Sequence, residues 1–304
     1  MTRTLNATRK KRKTALLILG FSRPEFIKSR LEESEFLGDF GVNLICSIDG
    51  FRDNQQRKEL KYEYFGLREQ YPNVEWVLEN TNLGLAKHIT TRVTESLQVY
   101  ENLIVIEDDV SVSKNGLLSL HDILQEEFPS SVFTAGMFGM LPKNQIEHLI
   151  KNRWRTTKYF SAWGWAIQRE KWQHYELDIV KKYGIEKLSK GMIWNQLREC
   201  QKQRWIKRFS KVIIKPDLTW DFQMQYLSFL NEFQNVLPLY RICDNEGFDD
   251  QRATNTKTPI PGWYYGKRSN SNISPNAKVR NRYLGNLVEY LDSISWIGDQ
   301  KLFE

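Results

Sequence analysis

This chain has too few cysteines, and too scattered, to build a disulfide framework. Cys46, Cys200 and Cys243 are odd in number, far apart and without CxxC spacing, which argues against paired-cysteine zinc sites and points to a reducing compartment. Long apolar runs are also missing: none approaches the roughly 20 residues that a helix needs to cross a bilayer. The stretch ALLILGF lacks a small-residue cleavage site. These absences predict a cytoplasmic protein, touching at most the inner face of a membrane.

Acidic residues are missing from two stretches, and this explains the formal net charge of +7. Residues 1–13 carry Arg3, Arg9, Lys10, Lys11, Arg12 and Lys13 with no acid. Residues 251–288 carry Arg252, Lys257, Lys267, Arg268, Lys278, Arg280 and Arg282, again with none. Between them, residues 14–250 hold 30 basic and 33 acidic side chains. The basicity therefore belongs to segments, which speaks against a nucleic-acid-binding fold. With 304 residues, 40% of them hydrophobic, the chain is long enough to bury a core. The expected organisation is a basic disordered arm (1–13), a nucleotide-binding half (14–112), an acceptor-binding and catalytic half (113–250) and a basic C-terminal loop and helix (251–304).

The first half alternates in kind. Apolar runs at 14–21, 42–48, 74–78 and 103–106 read as strands, and helical spacing predicts helices over 24–33, 54–71 and 85–100. Strands alternating with helices predict an α/β fold with a mostly parallel sheet flanked by helices. Ligands of such sheets sit beyond the carboxyl ends of the strands. That rim would hold Ser22 with Arg23, Asp49, Asn80 with Asn82, and the triplet Glu107, Asp108 and Asp109. Adjacent carboxylates repel unless a cation neutralises them, and hard divalent ions such as Mn²⁺ or Mg²⁺ prefer oxygen ligands, often a carboxylate or two with substrate phosphates. The triplet predicts a metal and a diphosphate.

These residues resemble a family. FSRP after the first strand, SIDG after the second, NLGLAKH opening a helix and the run into EDDV look like the nucleotide-binding half of the GT-A (Rossmann-like) glycosyltransferases. The likeness is to the N-acetylglucosaminyltransferase I type and related bacterial sugar transferases. YFSAWGWAIQREKW at 159–172 resembles the family's acceptor-side strand, and LTWDFQMQ at 218–225 its later Trp-Asp element. The resemblance implies that Asp109 is the direct metal ligand, that Glu107 and Asp108 face ribose and sugar, and that Asp49 holds the nucleobase. It places Ser22, Arg23, Asn82 and His88 near the nucleotide, Trp163, Gly164 and Trp165 at the acceptor, and Asp221 as catalytic base.

The implied reaction is metal-dependent, inverting transfer of a hexosyl or N-acetylhexosaminyl group from a nucleoside-diphosphate sugar, UDP favoured, to a glycan or glycolipid acceptor, as in bacterial surface polysaccharide synthesis. Each motif also has a plainer reading. Asp49-Gly50 is a common turn pair, the two tryptophans suit a core, His88 a structural role, Trp220-Asp221 a helix cap, and Asp217 is a competing base. Asn245-Glu246-Gly247-Phe248 is followed by Ala253-Thr254-Asn255-Thr256 where relatives tend to have a histidine, so a C-terminal metal contact stays open. Beyond it, Lys257, Lys267 or Arg268 on a Gly- and Pro-containing segment would close over the diphosphate. Two other classes compete: a nucleotidyltransferase, which should have a Gly-rich basic loop where this chain has GFSRPEF, and a non-catalytic basic binding protein.

Overall fold

The computed structural model describes residues 11–139, 154–238, 241–248, 250 and 252. The first four strands are β1 (Thr14–Gly20), β2 (Val42–Ile48), β3 (Glu75–Leu78) and β4 (Asn102–Glu107). They alternate with helices α1 (Pro24–Ser34), α2 (Asn54–Gln70) and α3 (Leu85–Val99). All lie within a few residues of the expected positions. Next come β5 (Val110–Val112), α4 (Lys114–Gln125), β6 (Val132–Gly136), β7 (Trp154–Thr157) and β8 (Trp165–Gln168). Short helices α5 (Arg169–Trp172), α6 (Ile179–Tyr183) and α7 (Met192–Asn195) lead to the longer α8 (Glu199–Ile214) and α9 (Asp221–Leu230), and then to β9 (Gln234–Pro238) and β10 (Cys243–Asn245).

One sheet runs β3-β2-β1-β4-β8-β6-β9-β7, and β5 pairs separately with β10. The pairings β3-β2, β2-β1, β1-β4 and β6-β9 are parallel, whereas β8 and β7 run against their neighbours. The expected α/β architecture with a mostly parallel, helix-flanked sheet is what forms. The expected division at residue 112 cuts through one continuous sheet, because β4 pairs with β8.

Strand alternation builds a layer on each face. Ala15, Leu17 and Leu19 of β1 join one core with Ala86, Ile89, Val93 and Leu97 of α3, while Leu16 and Ile18 join the other with Ile27 and Leu31 of α1. With both faces covered β1 is buried throughout, and it is correspondingly apolar after Thr14. Helix α9 is enclosed on nearly all sides, so its polar residues need internal partners. Gln225 Oε1 accepts from Phe160 N at 2.9 Å, and its Nε2 donates to Lys158 O at 2.9 Å. Gln223 likewise joins Val180 N to Pro216 O, at 3.2 Å each.

The basic arm needs correction at its end. Arg12 pairs with Glu170 at 2.9 Å, Lys13 N donates to Glu101 Oε2 at 2.9 Å, and Lys13 O accepts from Glu101 N and Asn102 N. Lys11 Nζ bonds Phe40 O. These residues extend β1 because the start of β4 offers backbone groups that need partners; residues 1–10 lie outside the described residues. Of the cysteines, Cys46 and Cys243 are buried and Cys200 is exposed, all as free thiols. Among the described residues, no helix is long and apolar enough to cross a membrane.

Comparing deletion of residues 1–10 with deletion of residues 1–13 checks the corrected boundary. The longer deletion removes several hydrogen bonds at about 1 kcal/mol each and should cost about 2 kcal/mol more in urea unfolding. Equal midpoints would show that residues 11–13 add nothing to the fold.

Candidate active site

The carboxyl ends of β1, β2 and β4 open onto a cavity of about 230 Å³. Ser22 and Arg23 follow β1, Asp49 follows β2, Asn82 precedes α3, His88 sits on its first turn, and Glu107, Asp108 and Asp109 end β4. Trp163 comes from the segment before β8, and Asp221 from the start of α9. Of the site and rim residues expected from the sequence, Asn80, Gly164 and Trp165 do not line this cavity and the others do. Arg52, Asn245 and Arg252 also line it.

Arg23 organises the triplet. Its Nε donates to Asp108 Oδ2 at 3.2 Å, and its Nη2 donates to Asp108 Oδ1 and, at 3.0 Å, to Asp109 Oδ2. Asp250 lies 3.8 Å from Nη1. Burial works against the Arg23 charge, but Asp108 and Asp109 more than restore it and hold its pKa above the ordinary value. Burial pushes Asp108 up to about 6, opposed by Arg23 and helped by Asp109. Glu107 is driven well above the carboxylate range by burial and then by Asp109, Asp108 and Asp221. Arg23 therefore sits against two carboxylates at hydrogen-bond distance and a third, Asp250, at 3.8 Å.

The backbone of the triplet is held from behind. Arg30, 1% exposed, donates to Asp108 O at 3.3 Å and pairs with Glu33 at 3.0 Å and Glu246 at 3.1 Å. Glu33 accepts from Val112 N at 3.0 Å. Sequence reasoning missed Arg30 and Glu33. The signal was present in α1, where Arg30 falls with Ile27, Leu31 and Ser34 on the buried helical stripe, a place a charge occupies only when it is paired.

Asp49 departs from the expected contact with a base. It is 5% exposed, and its carboxylate accepts from Gly50 N and Leu83 N at 2.8 Å, Gly84 N at 3.0 Å and Asn82 Nδ2 at 3.1 Å. Four donors use its acceptor positions. Asp49 thus staples the 80s loop onto β2 at the positive N-terminus of α3. Asn82 completes the staple by donating to Gly50 O at 2.7 Å. Gly50 makes the approach possible, since a Cβ there would overlap the Thr81 carbonyl and sit 2.6 Å from Asn82 N.

His88 is buried, with Nε2 2.8 Å from Ser47 Oγ. Burial lowers its pKa to about 4, with Arg92 adding to the effect and Asp49 partly offsetting it, so the ring is neutral at pH 7. Asp221 opens α9 as its first residue, with Trp220 as the cap. Its Oδ1 accepts from Thr219 Oγ1 and, at 2.9 Å, from Phe222 N, which leaves Oδ2 for a cavity hydroxyl. Burial raises its pKa, and these hydrogen bonds oppose the shift. Asp217, the competing base, is 3.5 Å from Lys87 and does not line the cavity.

The Trp163-Gly164-Trp165 expectation divides. Trp163 forms cavity wall, edge-on to Phe138 and Phe248. Trp165 is 1% exposed and stacks on Trp220 at 5.1 Å, so it supports Asp221 from within the core. Gly164 adopts φ +65°, and a Cβ there would lie 2.4 Å from the Met137 side chain, so the position requires glycine for packing. The pair differs because Trp165 begins a strand facing α9 while Trp163 still belongs to the loop. Asn255, Lys257, Lys267 and Arg268 lie outside the described residues.

The donor set can be tested against a divalent ion. Asp49, Glu107, Asp108, Asp109 and Asp221 line the cavity against Arg23, Arg52 and Arg252. Among the described residues, no three His, Cys, Asp or Glu side chains converge on one point. These residues fit an ion held by one or two carboxylates with phosphate oxygens completing its shell, and they do not fit a protein-only cage.

No protein-family model and no curated protein matches this sequence. Among solved structures, the chain is similar to the mannosyltransferase PcManGT from Pyrobaculum calidifontis in complex with GDP-Man and Mn²⁺, at 10% identity over 72% of this chain and 70% of that one, with a TM-score of 0.38. GalNAc-T7 with UDP, GalNAc and Mn²⁺ is similar at 11% identity over 75% of this chain and 42% of that one, TM-score 0.42. So is 4-diphosphocytidyl-2C-methyl-D-erythritol synthase from Anaerococcus prevotii, at 11% identity over 68% and 86%, TM-score 0.34. Scores of this size assign no role to any residue; the chemistry has to come from the cavity.

Gly50→Ala should force the 80s loop off Asp49. Overpacking of this kind costs about 1–3 kcal/mol, and the loss should appear in urea unfolding together with weakened nucleotide binding by calorimetry. Wild-type values for both would show that the close approach is unimportant.

His88 supplies a pH test. Its folded pKa of about 4 lies below the ordinary histidine value of 6.5, so the unfolded chain binds the extra proton. Its contribution is complete above pH 6.5 and is lost as pH falls towards 4, by up to about 3 kcal/mol. His88→Asn should flatten the stability profile across that window in denaturant titrations, and an unchanged slope would exclude the buried neutral ring as its source.

Proposed function

We propose that the chain is a glycosyltransferase of the GT-A kind, moving a hexosyl or N-acetylhexosaminyl group from a nucleoside-diphosphate sugar, UDP favoured, to a hydroxyl of a glycan or glycolipid. One observation carries the reading: Asp221 and the Glu107–Asp109 triplet line the same cavity at the carboxyl rim of a parallel sheet, close enough that Asp221 raises the Glu107 pKa. A carboxylate that can take a proton thus faces a charged rim suited to a diphosphate. Synthesis of a bacterial surface polysaccharide is the setting that the sequence resemblance favours.

The chain's own residues divide the work. Asp109, with Asp108 beside it, would hold a Mn²⁺ or Mg²⁺ ion, which when bound supplies Lewis-acid neutralisation of the leaving diphosphate. Arg23 lines the cavity beside the acids and would exchange part of its contact with Asp109 for a phosphate oxygen. Asp221, with Oδ2 open and its basicity raised by burial, would accept the proton of the attacking hydroxyl. Trp163 gives a sugar ring an apolar wall. Direct attack on the face opposite the departing diphosphate inverts the anomeric centre. A nucleotidyltransferase would need a Gly-rich basic loop after β1, and here Ser22-Arg23-Pro24 passes straight into α1.

The test is donor hydrolysis and transfer with a panel of nucleotide sugars, with and without Mn²⁺. Asp109→Ala should nearly abolish turnover and Mn²⁺ binding with the fold intact. Asp221→Asn should slow transfer about 10²- to 10⁴-fold while donor affinity by calorimetry is kept. Full activity in EDTA, near wild-type transfer by Asp221→Asn, or a product with the donor's anomeric configuration by NMR would each overturn the corresponding part of the mechanism.

A further inference from the structure

The near neutrality of residues 14–250 conceals a strong local charge. Residues 179–216, which run from α6 to just beyond α8, hold eleven basic side chains and only two acids, Glu186 and Glu199. Helix α8 turns Gln201, Trp205, Phe209 and Val212 into the core, and its outer side carries Lys207 and Lys211, with Lys215 capping the helix four residues further on, all three exposed. Between the last two lies Ile214, 85% exposed, and Leu218, 45% exposed, follows in the next turn.

A solvated charged face explains the lysines and leaves the isoleucine unexplained. An aliphatic side chain standing in water among lysines is the arrangement of a surface that lies on an anionic bilayer, with the apolar groups entering the interface and the ammonium groups meeting lipid phosphates. Nucleic acid fits less well, since the stripe carries lysines without an exposed aromatic side chain on which a base would stack. We propose that the outer stripe of α8, with Ile214 and Leu218 at its C-terminal end, is a docking surface for an anionic lipid bilayer. The surface runs directly to the cavity: the chain passes from Lys215 through Pro216–Leu218 and Thr219-Trp220 to Asp221. Docking would therefore bring the Asp221 side of the cavity towards a lipid-borne acceptor. That consequence rests on the glycosyltransferase reading, whereas the docking surface itself does not.

The experiment is co-sedimentation of the full chain with vesicles of phosphatidylcholine alone or with phosphatidylglycerol added. Wild type should bind the anionic vesicles, release in high salt and ignore the neutral ones. Each interfacial lysine contributes about fivefold, equivalent to about 1 kcal/mol, so K207E/K211E/K215E should weaken binding at least about 100-fold with an unchanged melting curve. K28E/K58E/R68E, which makes the same net charge change on α1 and α2, should bind as wild type, and Ile214→Ser should weaken binding with no change of charge. Failure of wild type to bind anionic vesicles, or retention of binding by the α8 triple variant, would overturn the proposal. So would equal loss in the control triple variant, or tighter binding to duplex DNA or RNA that the α8 triple variant abolishes. Vesicle binding that depends on α8 in a chain with no transfer activity would leave the docking surface standing and remove the proposed function alone.

Discussion

Three consecutive carboxylates at the end of a buried strand must be neutralised before anything else about this molecule can work. Arg23 does so from the front, with a forked contact to Asp108 and a second contact to Asp109. Arg30 secures the triplet's backbone from behind by donating to the Asp108 carbonyl, with its own charge paired to Glu33 and Glu246. Both arginines come from the segment that follows β1, so the β1-α1 unit is the electrostatic partner of the β4 terminus. The parallel pairing of β1 with β4 brings the two together. Arg23 meets part of the negative charge, while burial first, and then the neighbouring carboxylates, raise the Glu107 and Asp108 pKa values. Such a rim would suit a cation bound together with phosphate, as the proposed function requires.

Around this centre the structure uses buried polar residues to fix loops that would otherwise move. Asp49 holds the loop before α3, Gln225 holds the segment leading to Trp163, and Gln223 ties α9 to the backbone at Val180 and Pro216. Each replaces loop entropy with hydrogen bonds in a low-dielectric setting, where an unmet donor is costly. The stack of Trp165 on Trp220 sets the angle at which α9 begins, and with it the position of Asp221. Groups from distant parts of the chain are thereby held in one cavity by contacts that themselves take no part in the chemistry.

The first four strands, the first three helices and the rim residues that follow them could be read from the sequence because they depend on local periodicity. An apolar run of seven between turn signals becomes a central parallel strand, and polar residues just beyond its end must fall on the carboxyl rim. Ser22, Arg23, Asn82 and the acidic triplet fall on the rim for that reason, whereas Asp221, which opens α9, was expected only from the resemblance of its Trp-Asp element. Tertiary structure decided how each group is used. Asp49 spends its carboxylate on amides 34 and 35 residues away, Arg30 on a carbonyl 78 residues away, and Trp165 turns into the core beside a Trp163 that stays at the wall. Likewise, only the packing of α8 shows that Lys207, Lys211, Ile214 and Lys215 share an outer stripe. Hydrogen-bond capacity and solvent exposure are set by neighbours in space, and spacing along the chain carries no information about partners so far apart in sequence.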